Sequence, residues 1–157
     1  MSRLRQAQTE GSSLLEIVLV VTSIAILAAV SVPRMTQASR MASDSTVTGG
    51  LAALRSAIDR YSAEHGGAFP TAAEINRQLT QYTDLTGAVS ETKTLPYVYG
   101  PYVRGIPALP VGVRRGNSRI AASDGEDVGW LYTEASGKIT ANTTTEMDET
   151  QGLYKNY

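Results

Sequence analysis

The residue in this chain that most needs a chemical explanation is Glu16. It lies inside Ser12-Ser13-Leu14-Leu15-Glu16-Ile17, at the start of an apolar run that continues to Val32. A carboxylate costs roughly 2.5–3.5 kcal/mol at the middle of a hydrocarbon span and less near its edge. Such a group calls for a cationic partner. Other groups also invite a chemical reading. Asp124-Gly125-Glu126-Asp127 places carboxylates around a glycine, as calcium ligands often are; the residues do not match an EF-hand loop, and a solvated turn has the same composition. Arg114-Arg115 with Arg119 is a small basic cluster of the kind that meets nucleic-acid phosphates, and equally a solvated hairpin tip. His65 is the sole histidine and there is no cysteine, which argues against a transition-metal site and removes thiol catalysis. No nucleophile–base pair, phosphate loop or metal-spaced His set appears, so neither enzymatic activity nor a cofactor or metal is expected.

The elements that carry these groups divide the chain unevenly. Its 157 residues suffice for one small domain, and a net charge of −1 gives no reason to expect a nucleic-acid partner. A mean hydropathy of −0.13 hides a strong contrast. Almost all the hydrophobicity precedes Pro33, while seven of the eight tyrosines, the one Trp and the one Phe lie beyond residue 65. A small exported domain without disulfides must rely on packing, assembly or a metal.

Leu14–Val32 is 19 residues, which as helix spans about 28 Å, close to the hydrocarbon thickness of a bilayer. Thr22 and Ser23 fit such a helix because their hydroxyls can bond carbonyls one turn back. Three readings compete. A cleavable signal peptide would use Arg3 and Arg5 as its basic region and Ala29-Val30-Ser31 as its cleavage site, but the apolar stretch is too long and holds an acid. A plain signal anchor leaves Glu16 without purpose. The third reading, which explains the acid, rests on a resemblance to a known family. Ala25 and Ala29 form a small-xxx-small face that would let helices approach.

Gly11, Glu16, the apolar run and Pro33, at this mutual spacing, resemble the N-terminal motif of type IV prepilins and pseudopilins. The resemblance implies a leader at 1–11, cleaved between Gly11 and Ser12 by prepilin peptidase, and N-methylation of Ser12. The mature chain would carry a net charge of −2. Glu16 would pair with the terminal amine of a neighbouring subunit, and Pro33 would kink or locally melt the helix. The departure is Ser12, where the family usually has Phe or Met, and this bears on processing. Orientation rests on the resemblance, since Arg34 and Arg40 balance Arg3 and Arg5 under the positive-inside rule.

Past Pro33 the spacing predicts a weaker helix, frayed or bent near Ser43–Gly50, then a clear stripe of Leu51, Leu54, Ile58 and Tyr61. Arg55–Asp59 and Arg60–Glu64 are spaced as i,i+4 ion pairs. The helix should stop at His65-Gly66-Gly67. A short helix is expected over Ala72–Gln81, a proline-punctuated connector through Pro110, and a hairpin of Val128–Tyr132 and Lys138–Asn142 with Trp130 in its core. Tyr61-x-x-x-His65-Gly66-x-x-Phe69-Pro70, Gly100-Pro101-Tyr102 and Gly129-Trp130-x-Tyr132 look like the G-type major pseudopilins of type II secretion, which carry a calcium site in a C-terminal loop; Asp124 and Asp127 do not align with it ligand by ligand.

The expected fold is therefore α+β, a long N-terminal helix packed by its second half on a small antiparallel sheet. The domains would be 1–11 leader, 12–33 transmembrane and assembly helix, and 34–157 amphipathic helix with periplasmic globular domain. The expected function is a pseudopilus subunit in the inner membrane, partnered by other pilin or pseudopilin subunits and by prepilin peptidase. A surface or minor pilin, or a single-span periplasmic binding protein, are the alternatives.

Overall fold

The structure, a computed structural model, describes residues 13–148 and 151–157, without the side chains of 30–37. The chain divides into two compact units, one ending at Ser39 and the other running Arg40–Tyr157. Helix α1 spans Leu14–Glu64. It is followed by α2 (Ile75–Thr80), β1 (Tyr82–Thr83), β2 (Val89–Ser90), β3 (Arg119–Ala121), β4 (Val128–Thr133) and β5 (Lys138–Ala141). The fold is α+β, as expected. The sheet is not purely antiparallel: β1–β2 is a separate antiparallel pair, and in β3-β4-β5 the β3–β4 ladder is parallel while β4–β5 is antiparallel. A two-residue hairpin cannot join parallel strands. Here the 122–127 segment returns the chain, with a register shift between Arg119 and Ile120.

The expected stripe is the core of the second unit. Leu51, Leu54, Ile58 and Tyr61 are buried with Ile75, Leu79, Ile120, Trp130, Tyr132 and Ile139. Burying each such side chain fully is worth roughly 1.5–3 kcal/mol. That packing corrects one expectation. Residues 43–50 are unbroken helix, because Val47 and Gly50 face the core and tertiary burial outweighs weak propensity. Thr46 and Thr48 also return their hydroxyls to Ala42 and Asp44 carbonyls at 2.7 and 2.9 Å. Helical backbone likewise continues through Pro33, with no melted turn there, although proline still omits one ladder bond.

The helix stops where expected. Gly66 and Gly67 have φ of 67° and 91°, and the Gly67 N–H bonds the Ser62 carbonyl at 2.8 Å, closing a Schellman-type cap. The two expected i,i+4 ion pairs are not formed among the described residues. Arg55 instead donates to the Ile139 carbonyl, and Glu64 accepts from Tyr102. The Phe69-Pro70 pair docks on the β4–β5 hairpin: Tyr132 donates to the Pro70 carbonyl at 2.8 Å, and the Phe69 ring lies against Gly137.

Candidate functional site

Leucine, isoleucine and valine dominate residues 14–29, and every side chain of that stretch is exposed, from Leu14 at 79% to Leu27 at 68%. A helix apolar on all sides, rather than along one stripe, is built to be surrounded. Thr22 and Ser23 do not disturb it: Thr22 bonds the Val18 and Leu19 carbonyls at 2.9 Å, and Ser23 bonds Leu19 at 2.8 Å. Among the described residues no helix is long and apolar enough to cross a membrane.

Glu16 lies in the first turn of α1, where the helix terminus favours negative charge. Its backbone N–H bonds the Ser13 carbonyl at 2.8 Å, and Ser13-x-x-Glu16 has capping-box spacing. The carboxylate is exposed and has no ion-pair partner among the described residues. Gly11 and Ser12 lie outside the described residues. Pro33 is 17 residues beyond Glu16, about 25 Å along an ideal helix; its side chain is outside the description.

The acidic turn and the basic cluster, separate motifs in the sequence, are each other's partners. Arg114 holds Asp124 with two bonds at 3.0 and 3.1 Å, and Arg119 holds Asp127 at 2.9 and 3.1 Å. Asp124 also accepts from Asn142 at 2.8 Å. These guanidinium contacts hold both carboxyls below the ordinary aspartate value, with Asn142 adding to the effect at Asp124. Asp124 opens on a small cavity that it shares with Arg114, Thr143 and Glu146. Glu146 is occupied too, accepting the N–H groups of Val113, Thr144 and Thr145. Among the described residues no set of three His, Asp or Glu is placed to hold a metal ion.

Trp130 is fully buried and donates to the Pro107 carbonyl at 2.8 Å, the expected core role. His65 is buried, stacked on Tyr61 and bonded through both ring nitrogens. The i,i+4 spacing of Tyr61 and His65 could have signalled the stack. Its partners Thr83 and Asp84, at and just past the end of β1, are distant in sequence and carry no such signal. The same holds for Tyr154, whose hydroxyl bonds Asp44 from the far end of the chain. Compared with known proteins, the chain matches no family model, no curated protein and no solved structure.

Proposed function

We propose that this chain is a structural subunit of a type IV pilus-like filament, most like the pseudopilins of type II secretion, cut after Gly11, methylated at Ser12 and held in the inner membrane by its N-terminal helix. The observation that carries the reading is Glu16, an exposed carboxylate without a described partner in a helix apolar on all sides. A charge desolvated in such surroundings is tolerable only when paired and hydrogen-bonded, so a pair that forms on assembly fixes the register of docking. The second unit supports the reading differently: its core closes on the helix stripe and takes no side chain from the apolar stretch. The groups that invited a chemical reading are largely engaged with one another, which favours a structural role over an enzymatic one.

Two measurements test this. Intact-mass analysis of membrane-extracted protein should give a chain lacking residues 1–11 and bearing one added methyl group; retention of the leader refutes processing. Glu16→Ala should leave membrane insertion intact and abolish filaments seen by electron microscopy. Normal filaments from that variant would refute the pairing role, whereas a parent chain that forms no filaments would favour a single-span anchored binding protein.

A further inference from the structure

The β3-β4-β5 sheet has two outer edges, and they are protected differently. On β3 the Asn76 side chain takes both the N–H and the carbonyl of Ile120. On β5 the ladder decides which groups face outward. The Asn142 N–H bonds the Gly129 carbonyl at 2.9 Å. Bonded pairs alternate along an antiparallel ladder, so Leu131–Thr140 and Thr133–Lys138 are the next bonded pairs. Ile139 and Ala141 therefore turn their N–H and C=O groups away from β4. Both carbonyls are taken within the chain: Arg55 donates to that of Ile139 at 3.3 Å, and the Thr143 N–H bonds that of Ala141 at 3.0 Å. The two N–H groups have no partner among the described residues, and both residues are 0% exposed.

What covers this edge is the segment 151–157. Its 3-10 turn, Tyr154–Asn156, packs against β5. Tyr157 shares a cavity with Arg55, the side chain that reaches the outward carbonyl of Ile139, which puts the segment on the outer side of β5. Tyrosines fasten it. Tyr154 is buried and gives its hydroxyl to Asp44 on α1. Its ring meets that of Tyr157 edge-on at 5.7 Å, and Tyr157 gives its hydroxyl to Asp148. The segment thus shields the edge and supplies no acceptor to its N–H groups. An edge that is covered but unpaired gains ladder bonds from a strand that replaces the cover.

We infer that residues 151–157 are a displaceable guard over the outer edge of β5, and that the strand they hold off is β5 of a second copy. The strand is complementary to itself. A two-fold axis at Thr140 sets Ile139 opposite Ala141 of the second copy and the reverse, so each open N–H meets a carbonyl. Thr140 then faces Thr140 of the second copy, a favourable cross-strand pair. Lys138 falls opposite Asn142, so no like charges meet. With the guard seated, copies stay apart at this edge; with it released, they join into one continuous sheet.

The chain has no cysteine, so one introduced thiol reports the pairing. Thr140→Cys would place two sulfurs at the two-fold axis, within disulfide reach. Lys138→Cys would hold them roughly 13 Å apart along the strands. The full chain in detergent micelles is oxidised with copper phenanthroline, and dimers are scored on non-reducing gels. Tyr154→Ala and, as a milder release, Tyr154→Phe with Tyr157→Phe should each raise the Thr140→Cys dimer at least tenfold and leave Lys138→Cys unlinked. Equal cross-linking with and without the guard would overturn the inference. So would linkage at Lys138→Cys as fast as at Thr140→Cys, the signature of chains that meet unfolded or at random.

Discussion

Gly49 and Gly50 offer a controlled test of how α1 meets the sheet. They are adjacent, both helical, and chemically identical, yet their surroundings differ completely. A Cβ added at Gly49 would meet nothing within 4 Å. One added at Gly50 would stand 3.2 Å from Trp130 Cη2, 3.4 Å from Cζ2 and 3.5 Å from the Pro107 ring. The indole has little room to retreat, being fully buried and tied through Nε1 to the Pro107 carbonyl at 2.8 Å. Replacing glycine by alanine in a helix interior gains about 1 kcal/mol of propensity. Gly49→Ala should therefore stabilise the fold by about 1 kcal/mol. Gly50→Ala has the same gain but presses a methyl group into the indole, so it should fall at least about 1 kcal/mol below Gly49→Ala. Gly50→Leu should cost about 1–3 kcal/mol or more by overpacking. Trp130, the only tryptophan, reports the transition directly by fluorescence during urea unfolding of the full chain in micelles. If Gly50→Ala gains as much as Gly49→Ala, the close approach of helix and indole is wrong.

Asn76 seals the outer edge of β3, accepting from the Ile120 N–H at 2.9 Å and donating to its carbonyl at 2.8 Å. Asn76→Ala leaves both part-buried groups without this partner and should cost about 1–3 kcal/mol in the same unfolding assay; a loss within error would mean that water replaces the amide. Asp124 and Asp127 have folded pKa values depressed first by Arg114 and Arg119 respectively, so their contribution is present above the ordinary value of 3.8 and is lost as pH falls through the lower folded values. Thermal melts stepped downward from neutral pH should show Arg114→Gln and Arg119→Gln flattening that acid limb, and parallel curves for variant and parent would count against the pairing.

What could be read in advance follows from the range of the physics involved. The stripe Leu51, Leu54, Ile58, Tyr61, the glycine stop after Glu64 and the β4–β5 hairpin are set by neighbours within a few residues, and each falls where its spacing places it. Residues 43–50 misled because the propensity penalty of a Gly-Gly pair is local, whereas the reason for it is not: Gly50 is small because Trp130, eighty positions later, lies on it. The parallel β3–β4 ladder was hidden for a related reason, since a three-residue strand has too little periodicity to announce its partner. The charged groups teach the same lesson more sharply. Arg114-Arg115 and Asp124–Asp127 each suggested an external ligand when read alone, an anion for one and a cation for the other. Folding brings Arg114 onto Asp124 and Arg119 onto Asp127, and much of the apparent binding capacity is spent within the chain. Glu16 is the contrasting case. The residues that follow it on the helix are apolar through Val21, and none of the described residues answers its charge, so among them the chemical demand legible in the sequence is still open. That persistence, more than hydrophobicity, is what an assembling partner would have to satisfy.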